Sequence, residues 1–385
     1  MSIDWYKEAV GISDEIIENR RELHSHPELG NHEFMTASFI ENKLNSYGIK
    51  TCRMLDTAVI GILEGDDKGD CIALRADMDA LPVTETTGCD FSSQNAGLMH
   101  ACGHDVHMSA VLGAARLLSM HRSELKGSVK FIFQPDEEGS GGADRLIKEG
   151  VLNDVNAVFG AHVSPDLPLG TVGIRYGKFY AASDVYKVIL TGKSSHGAEP
   201  QKGIDALYAA SKILCALHEL PSELAPERAV ITTGILNSGT AVNIVPGKAV
   251  FEGIIRTLGA DSRAYIKRRF QEIINNISNE TGVSAEIIIK ESYPGVVNTD
   301  NETLMAENSA KALFGDDKVI RIEEPTMTTE DFGYYINASK GCFYHIGTGG
   351  STLHSSDYLP DESAPVLGAA LHAEVVYDYL SKSES

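Results

Sequence analysis

The sequence predicts an α/β fold: a mostly parallel sheet whose chain is interrupted by an inserted α+β unit of order β-α-β-β-α-β. Three observations carry this reading. Apolar strand-like runs alternate with helical patterns through residues 1–181, the alternation that parallel sheets require. The pattern changes near residue 182 and resumes after the Pro294-Gly295 turn. The chain has 385 residues, more than one hydrophobic core usually supports. The expected division is therefore a discontinuous domain, 1–181 plus 294–385, with 182–293 inserted into it.

The elements follow in order. An early helix covers about residues 3–24. Residues 34–47 read as a second, with Phe34, Ala37, Ile40 and Leu44 at helical spacing and Gly48 as a stop. A short apolar strand at 71–74 leads to the acidic segment 77–81. Residues 105–121 are helical. The strand 129–133 runs into the turn Pro135-Asp136-Glu137-Glu138-Gly139. A short helix at 143–150 precedes the strand 157–161, which delivers His162. The inserted unit reads as strand 185–190, helix 204–219, strands 229–236 and 249–258, helix 262–281 and strand 285–289. A helix near 301–314, a strand, a helix near 329–338, a strand at 342–346 and a helix at 364–380 resume the first pattern. In open parallel sheets, sites gather at the carboxyl ends of strands, and each candidate ligand group lies at or just beyond such an end.

Composition excludes several functions. The formal charge is −21, which repels phosphate backbones and anionic lipid and argues against nucleic-acid and membrane partners. The first residues, Met1 to Glu8, lack a basic segment followed by an apolar core, and no apolar run reaches membrane-spanning length. Six cysteines at 52, 71, 89, 102, 215 and 342 show no framework spacing. They read as reduced thiols in a cytoplasmic protein.

The segment Met99-His100-Ala101-Cys102-Gly103-His104-Asp105-Val106-His107 is the most specific. Cys102 and His104, two apart around a glycine, can reach one metal ion or a pair, and thiolate with imidazole suits zinc-like ions. An isolated Cys-x-His is more often a buried thiol beside a helix cap. Three further donors, Glu138, His162 and His354, emerge at the same strand edge and change that balance. Glu137 and Glu138 are adjacent carboxylates that would repel in a buried cleft unless cations offset them. One can then ligate while the other acts as base; without the histidines the run would read as a solvated acidic turn.

Arg256, at a strand end of the inserted unit, can grip a carboxylate in bidentate fashion, or it can be an exposed salt-bridge arginine. Asn243 can donate to a substrate or serve a turn. His107, three residues past His104 on the helix that Asp105 opens, could support the ligands from behind, but it reads as plain helix surface or packing and is left out of the ligands. His24 and His26 read as loop residues with no sign of ligation. Gly139-Ser140-Gly141-Gly142 and Gly347-Thr348-Gly349-Gly350 fit no phosphate loop and read as tight turns.

Taken together, His100-Ala101-Cys102-Gly103-His104-Asp105, Ala76-Asp77-Met78-Asp79-Ala80-Leu81-Pro82, Gln134-Pro135-Asp136-Glu137-Glu138-Gly139, Ser195-His196-Gly197-Ala198-Glu199-Pro200 and Leu353-His354 resemble the M20 metallopeptidase family. The resemblance is to its aminoacylase and hippurate hydrolase branch, which also holds the plant auxin-conjugate hydrolases, and it spans essentially the whole chain. It implies two divalent ions per subunit, zinc or manganese with cobalt or nickel as substitutes. Cys102, His104, Glu138, His162 and His354 match their ligands, with Cys102 bridging. Glu137 matches the general base and His196 a histidine that polarises the scissile carbonyl, often across a dimer interface. Asp79 matches an acid that orients a metal-binding histidine two residues earlier; here that earlier residue is Asp77. The resemblance favours a substrate-binding role for Arg256 and Asn243.

The implied reaction is hydrolysis of the amide bond of N-acetyl or aroyl amino acids by a two-metal-bound hydroxide. The larger domain would then be catalytic, and the inserted unit a ferredoxin-like lid and homodimerisation domain. Its edge strands offer a twin a surface to extend. The rivals are a dipeptidase or aminopeptidase of the same family acting on unblocked peptides, and a metal-stabilised binding protein without turnover, which Glu137 argues against. A thiol hydrolase using Cys102 and His104 is a weaker third, because the two lie so close in sequence.

Overall fold

The computed structural model describes residues 3–382. They form two compact units.

The larger unit comprises 3–177, 298–323 and 334–382. It is built on an eight-stranded sheet in the spatial order Lys50–Met54, Ala58–Glu64, Lys126–Gln134, Asp67–Asp77, Ala157–Ser164, Gly341–Gly347, Val172–Ile174 and Val319–Arg321. The four strands from Lys126–Gln134 to Gly341–Gly347 run parallel, and their registers align their carboxyl ends: Asp77 lies opposite Gln134, and His162 opposite His345. Every residue of Ala157–Ser164 is buried, as expected for a parallel strand covered on both faces. The fold is therefore mixed α/β with a large, mostly parallel sheet.

Parallel order is broken where Val172–Ile174 pairs antiparallel with Gly341–Gly347, and by the hairpin Lys50–Met54 with Ala58–Glu64, antiparallel within itself and to Lys126–Gln134. The sequence reading did not anticipate it. Its turn holds Leu55 and Asp56 at φ 48° and 64° with no glycine to mark it. The single helix expected over 3–24 is two, Trp5–Gly11 and Ser13–Ser25, broken at Ile12.

The helix His104–Met120 is buried around almost its whole circumference, because it packs on both Ser13–Ser25 and Ala364–Lys382 as well as on the sheet. Ile72, Leu74, Phe131, Phe133, Val111, Leu112 and Leu371 belong to the same continuous core.

The smaller unit comprises Lys178–Val297 and Glu324–Gly333. Its sheet is antiparallel, in the order Ala229–Ser238, Lys248–Thr257, Ala182–Thr191, Ser284–Glu291. Helices Ala206–Glu219 and Ala260–Thr281 pack on it around Tyr186, Val188, Leu190, Ile213, Phe251, Ile266 and Phe270. Burial alternates along Ala182–Thr191 and Ser284–Glu291, so one face is covered and the other is not. In chain order the elements read β-α-β-β-α-β. Among the described residues, no helix is long and apolar enough to cross a membrane.

Candidate metal centre

The parallel strand ends explain why distant residues meet. Asp67–Asp77 ends at Asp77 and leads to Asp79. Lys126–Gln134 leads to Glu137 and Glu138. Ala157–Ser164 carries His162, and the chain beyond Gly341–Gly347 returns His354, whose backbone N–H donates to the Ala101 carbonyl at 2.8 Å.

Between Cys102 and the helix lies Gly103, at φ 83°, where a Cβ would sit 2.5 Å from Val163 Cγ2. Only glycine lets the chain turn there against the strand, and the turn places Cys102 and His104 on either side of it.

The donor atoms converge. Cys102 Sγ lies 3.4 Å from His162 Nε2 and 3.3 Å from His354 Nε2, and His354 Nε2 lies 3.2 Å from Glu138 Oε1. A tetrahedral ion with bonds of about 2.0–2.3 Å holds its ligand atoms about 3.3–3.8 Å apart, so these spacings fit metal ligation. Two donor triads, Cys102–His104–His162 and Cys102–Glu138–His354, each lie within 4.8 Å and share only Cys102. A third, His104–Glu137–Glu138, places the Glu137 carboxylate beside them.

The ring orientations fit as well. His104 Nδ1 donates to the Asp79 carbonyl at 2.7 Å, and His162 Nδ1 to the Val163 carbonyl at 2.7 Å. A carbonyl only accepts, so both rings keep their proton on Nδ1 and turn a bare Nε2 inward, the arrangement that carbonyl partners impose on metal-binding histidines. His104 Nε2 is buried and has no hydrogen-bond partner, an orphan that an ion would satisfy.

Electrostatics favour cations. Burial opposes charge on His104, yet Asp77 and then Asp79 push it up to about 10. Burial, followed by Glu138 and Glu137, drives the Cys102 thiol well above its ordinary range. Both shifts express unneutralised negative charge, which a divalent ion would reverse.

Asp79 acts on the turn as a whole. Its Oδ1 accepts from the Glu137 N–H at 3.0 Å, and its Oδ2 from the Glu138 N–H at 2.9 Å.

The other sequence candidates lie in the smaller unit. His196 is exposed; its strand Ser195–His196 pairs with Ile244–Val245, and the Gly197 N–H donates to the Asn243 carbonyl at 2.7 Å. His196 Nδ1 accepts from the Ala198 N–H at 3.0 Å. Asn243 is exposed. Arg256 is half-buried and donates to the Ser183 hydroxyl across the strand pair.

Two expectations need correction. Of the two readings of His107, packing holds and surface does not: it is buried, donating from Nδ1 to Asp77 Oδ1 at 2.6 Å and accepting at Nε2 from the Val163 N–H at 2.9 Å. With both nitrogens engaged it braces the site without ligating. His24 is not in a loop but near the end of Ser13–Ser25, fully buried against Asp105. Asp77, in the sequence only a departure from the family pattern, pairs with Arg75 at 2.7 Å and with His107; burial opposes its charge, yet His104, then Arg75 and His107, hold it well below the usual carboxylate range. The i, i+3 spacing of His104 and His107 was the signal available for this bracing.

Cysteine, imidazole and carboxylate donors gathered where parallel strands end form a candidate metal centre, and the family and relatives that follow make the chain an amidohydrolase. It belongs to peptidase family M20/M25/M40, whose match covers residues 73–378. N-acetyl-L-cysteine deacetylase of Bacillus subtilis (strain 168) is 37% identical over 359 residues, covering 92% of this chain and 85% of that protein. IAA-amino acid hydrolase ILR1-like 2 of Arabidopsis thaliana is 35% identical over 386 residues, covering 97% and 87%. The crystal structure of the Bacillus subtilis YXEP protein, described as a dinuclear metal binding peptidase from the M20 family, superposes with a TM-score of 0.88 at 34% identity, covering 96% of this chain and 99% of that one.

Proposed function

We propose that this enzyme hydrolyses the amide bond of N-acyl amino acids, releasing a carboxylic acid and a free amino acid. The observation that carries the reading is the pair of donor triads that have Cys102 in common. It suits two divalent ions, which Cys102, His104, His162, Glu138 and His354 would hold. The thiolate and imidazole donors favour zinc, and manganese, cobalt or nickel can serve. The names of the deacetylase and of the amino acid hydrolase support N-acylated amino acids as the substrate class.

When bound, such ions polarise a carbonyl oxygen and lower the pKa of water to about 7. The chain supplies the rest. Glu137 takes the proton from the attacking water and returns it to the leaving amine, while Asp79 fixes the two peptides that aim Glu137 and Glu138. The Ala198 N–H occupies His196 Nδ1, so a neutral ring carries its proton on Nε2 and donates to the developing oxyanion. Arg256 grips the substrate carboxylate and Asn243 donates beside it. The smaller unit serves as lid and, through an edge strand, as the contact of a homodimer. The six free thiols support a cytoplasmic setting.

The word peptidase in the description of the YXEP structure favours a second reading, cleavage of unblocked peptides. A panel of N-acetyl and N-benzoyl amino acids set against unblocked dipeptides, with metal-reconstituted enzyme, separates the two. Turnover of the acylated compounds is expected; cleavage confined to the dipeptides overturns the proposal.

A further inference from the structure

A second set of donors lies outside this centre. One ring nitrogen of His24, one carboxylate oxygen of Glu85 and Cys89 Sγ lie within 4.8 Å of one another. Glu85 Oε1 is 3.3 Å from His24 Nε2 and 3.9 Å from Cys89 Sγ, close to the separations a tetrahedral ion imposes.

The surroundings are built as for a ligand set. His24 is fully buried, and its Nδ1 faces Asp105 Oδ2 at 2.9 Å, the carboxylate–histidine pairing that aims Nε2 at a metal. The Ser93 N–H holds Glu85 Oε2 at 2.6 Å, and Oε1, which also accepts from the Thr87 hydroxyl, faces the other two donors. Asp105 is balanced by Arg20 at 3.0 Å, so its charge does not compete for the ion. The Phe91 ring closes on His24 edge-on, with centroids 5.5 Å apart. The Thr87 and Ser92 hydroxyls both lie 3.5 Å from Cys89 Sγ. A hydroxyl or a water can complete the coordination.

We propose that His24, Glu85 and Cys89 form a separate binding site for one zinc-like divalent cation, distinct from the Cys102 centre. Charge bookkeeping favours it. The His24 ring presents an Nε2 proton to Glu85, and Cys89 is a free thiol. One divalent cation entering displaces both protons, leaving neutral imidazole and thiolate, and the net charge of the cluster does not change. A small borderline-soft ion matches a nitrogen, a sulfur and an oxygen donor better than a hard oxygen-seeking one. Tying the Glu85–Ser93 loop to the helix Ser13–Ser25 is what the ion would do mechanically.

The test uses full-length protein equilibrated with zinc, with bound metal counted by mass spectrometry of the digested sample. Wild type should hold one more zinc per chain than Cys89→Ala, while Cys89→Ala keeps wild-type hydrolysis of N-acetyl substrates, which shows that it is folded. The comparison does not depend on how many ions the Cys102 centre binds, since that centre is common to both proteins. Equal zinc content in the two overturns the proposal. A second measurement needs no variant: zinc should slow alkylation of Cys89 relative to the exposed Cys52, and unchanged relative rates also overturn it.

Discussion

Replacing Asp79 with asparagine should damage stability and catalysis together, and the structure sets the size. The buried carboxylate accepts two backbone bonds, from Glu137 at 3.0 Å and from Glu138 at 2.9 Å. A hydrogen bond to a charged acceptor contributes about 1.5–3 kcal/mol. An asparagine keeps one acceptor oxygen and turns an NH₂ toward the other N–H, so one such bond is lost and one buried donor is left unmet. The expected destabilisation is about 2–4 kcal/mol. The released peptide also loosens the aim of Glu137, and a misplacement of about 1 Å costs on the order of a hundredfold in rate. Guanidinium unfolding gives the first number, and kcat on an N-acetyl amino acid at matched metal content gives the second. A variant with wild-type midpoint and wild-type kcat would refute the view that Asp79 holds the Glu137–Glu138 turn.

Other outcomes follow from the same geometry. Glu137→Gln should keep wild-type metal content and lose at least about a hundredfold in kcat; full activity removes Glu137 from the proton transfers. Gly103→Ala forces a Cβ to within 2.5 Å of Val163 Cγ2 at φ 83°, so thermal melting should show a loss of about 2–4 kcal/mol with reduced metal uptake. His24 is buried, which opposes its charge, yet Asp105 and then Glu85 raise it to about 9 from an ordinary 6.5. A raised folded-state pKa gives stability that is full below about 6.5 and is lost as pH rises through about 9. Chelated enzyme should therefore melt progressively lower across that window, and His24→Gln should remove that part of the slope; an unchanged slope dissociates it from His24.

Much of the architecture could be read from the chain because strand ends are marked by local pattern. Apolar runs ending just before Asp77, Pro135 and His162 pointed to one sheet edge, and the geometry puts Cys102, His104, Glu138, His162 and His354 within reach of one another there. Local pattern says little about which side of a helix meets the sheet. His107 could therefore be read as surface or packing, and the packing of His104–Met120 turns it onto Asp77. The hairpin Lys50–Met54 with Ala58–Glu64 escaped notice because its turn uses Leu55 and Asp56 at positive φ. His24 escaped because its partners, Glu85 and Asp105, lie far along the chain.

The most direct measurement is anomalous X-ray diffraction from zinc-loaded crystals, read at the Cys102 thiol. The account predicts two peaks flanking Cys102 Sγ, one bonded to His104 and His162 and the other to Glu138 and His354. A single ion there, or ions that leave Cys102 unbound, would contradict it.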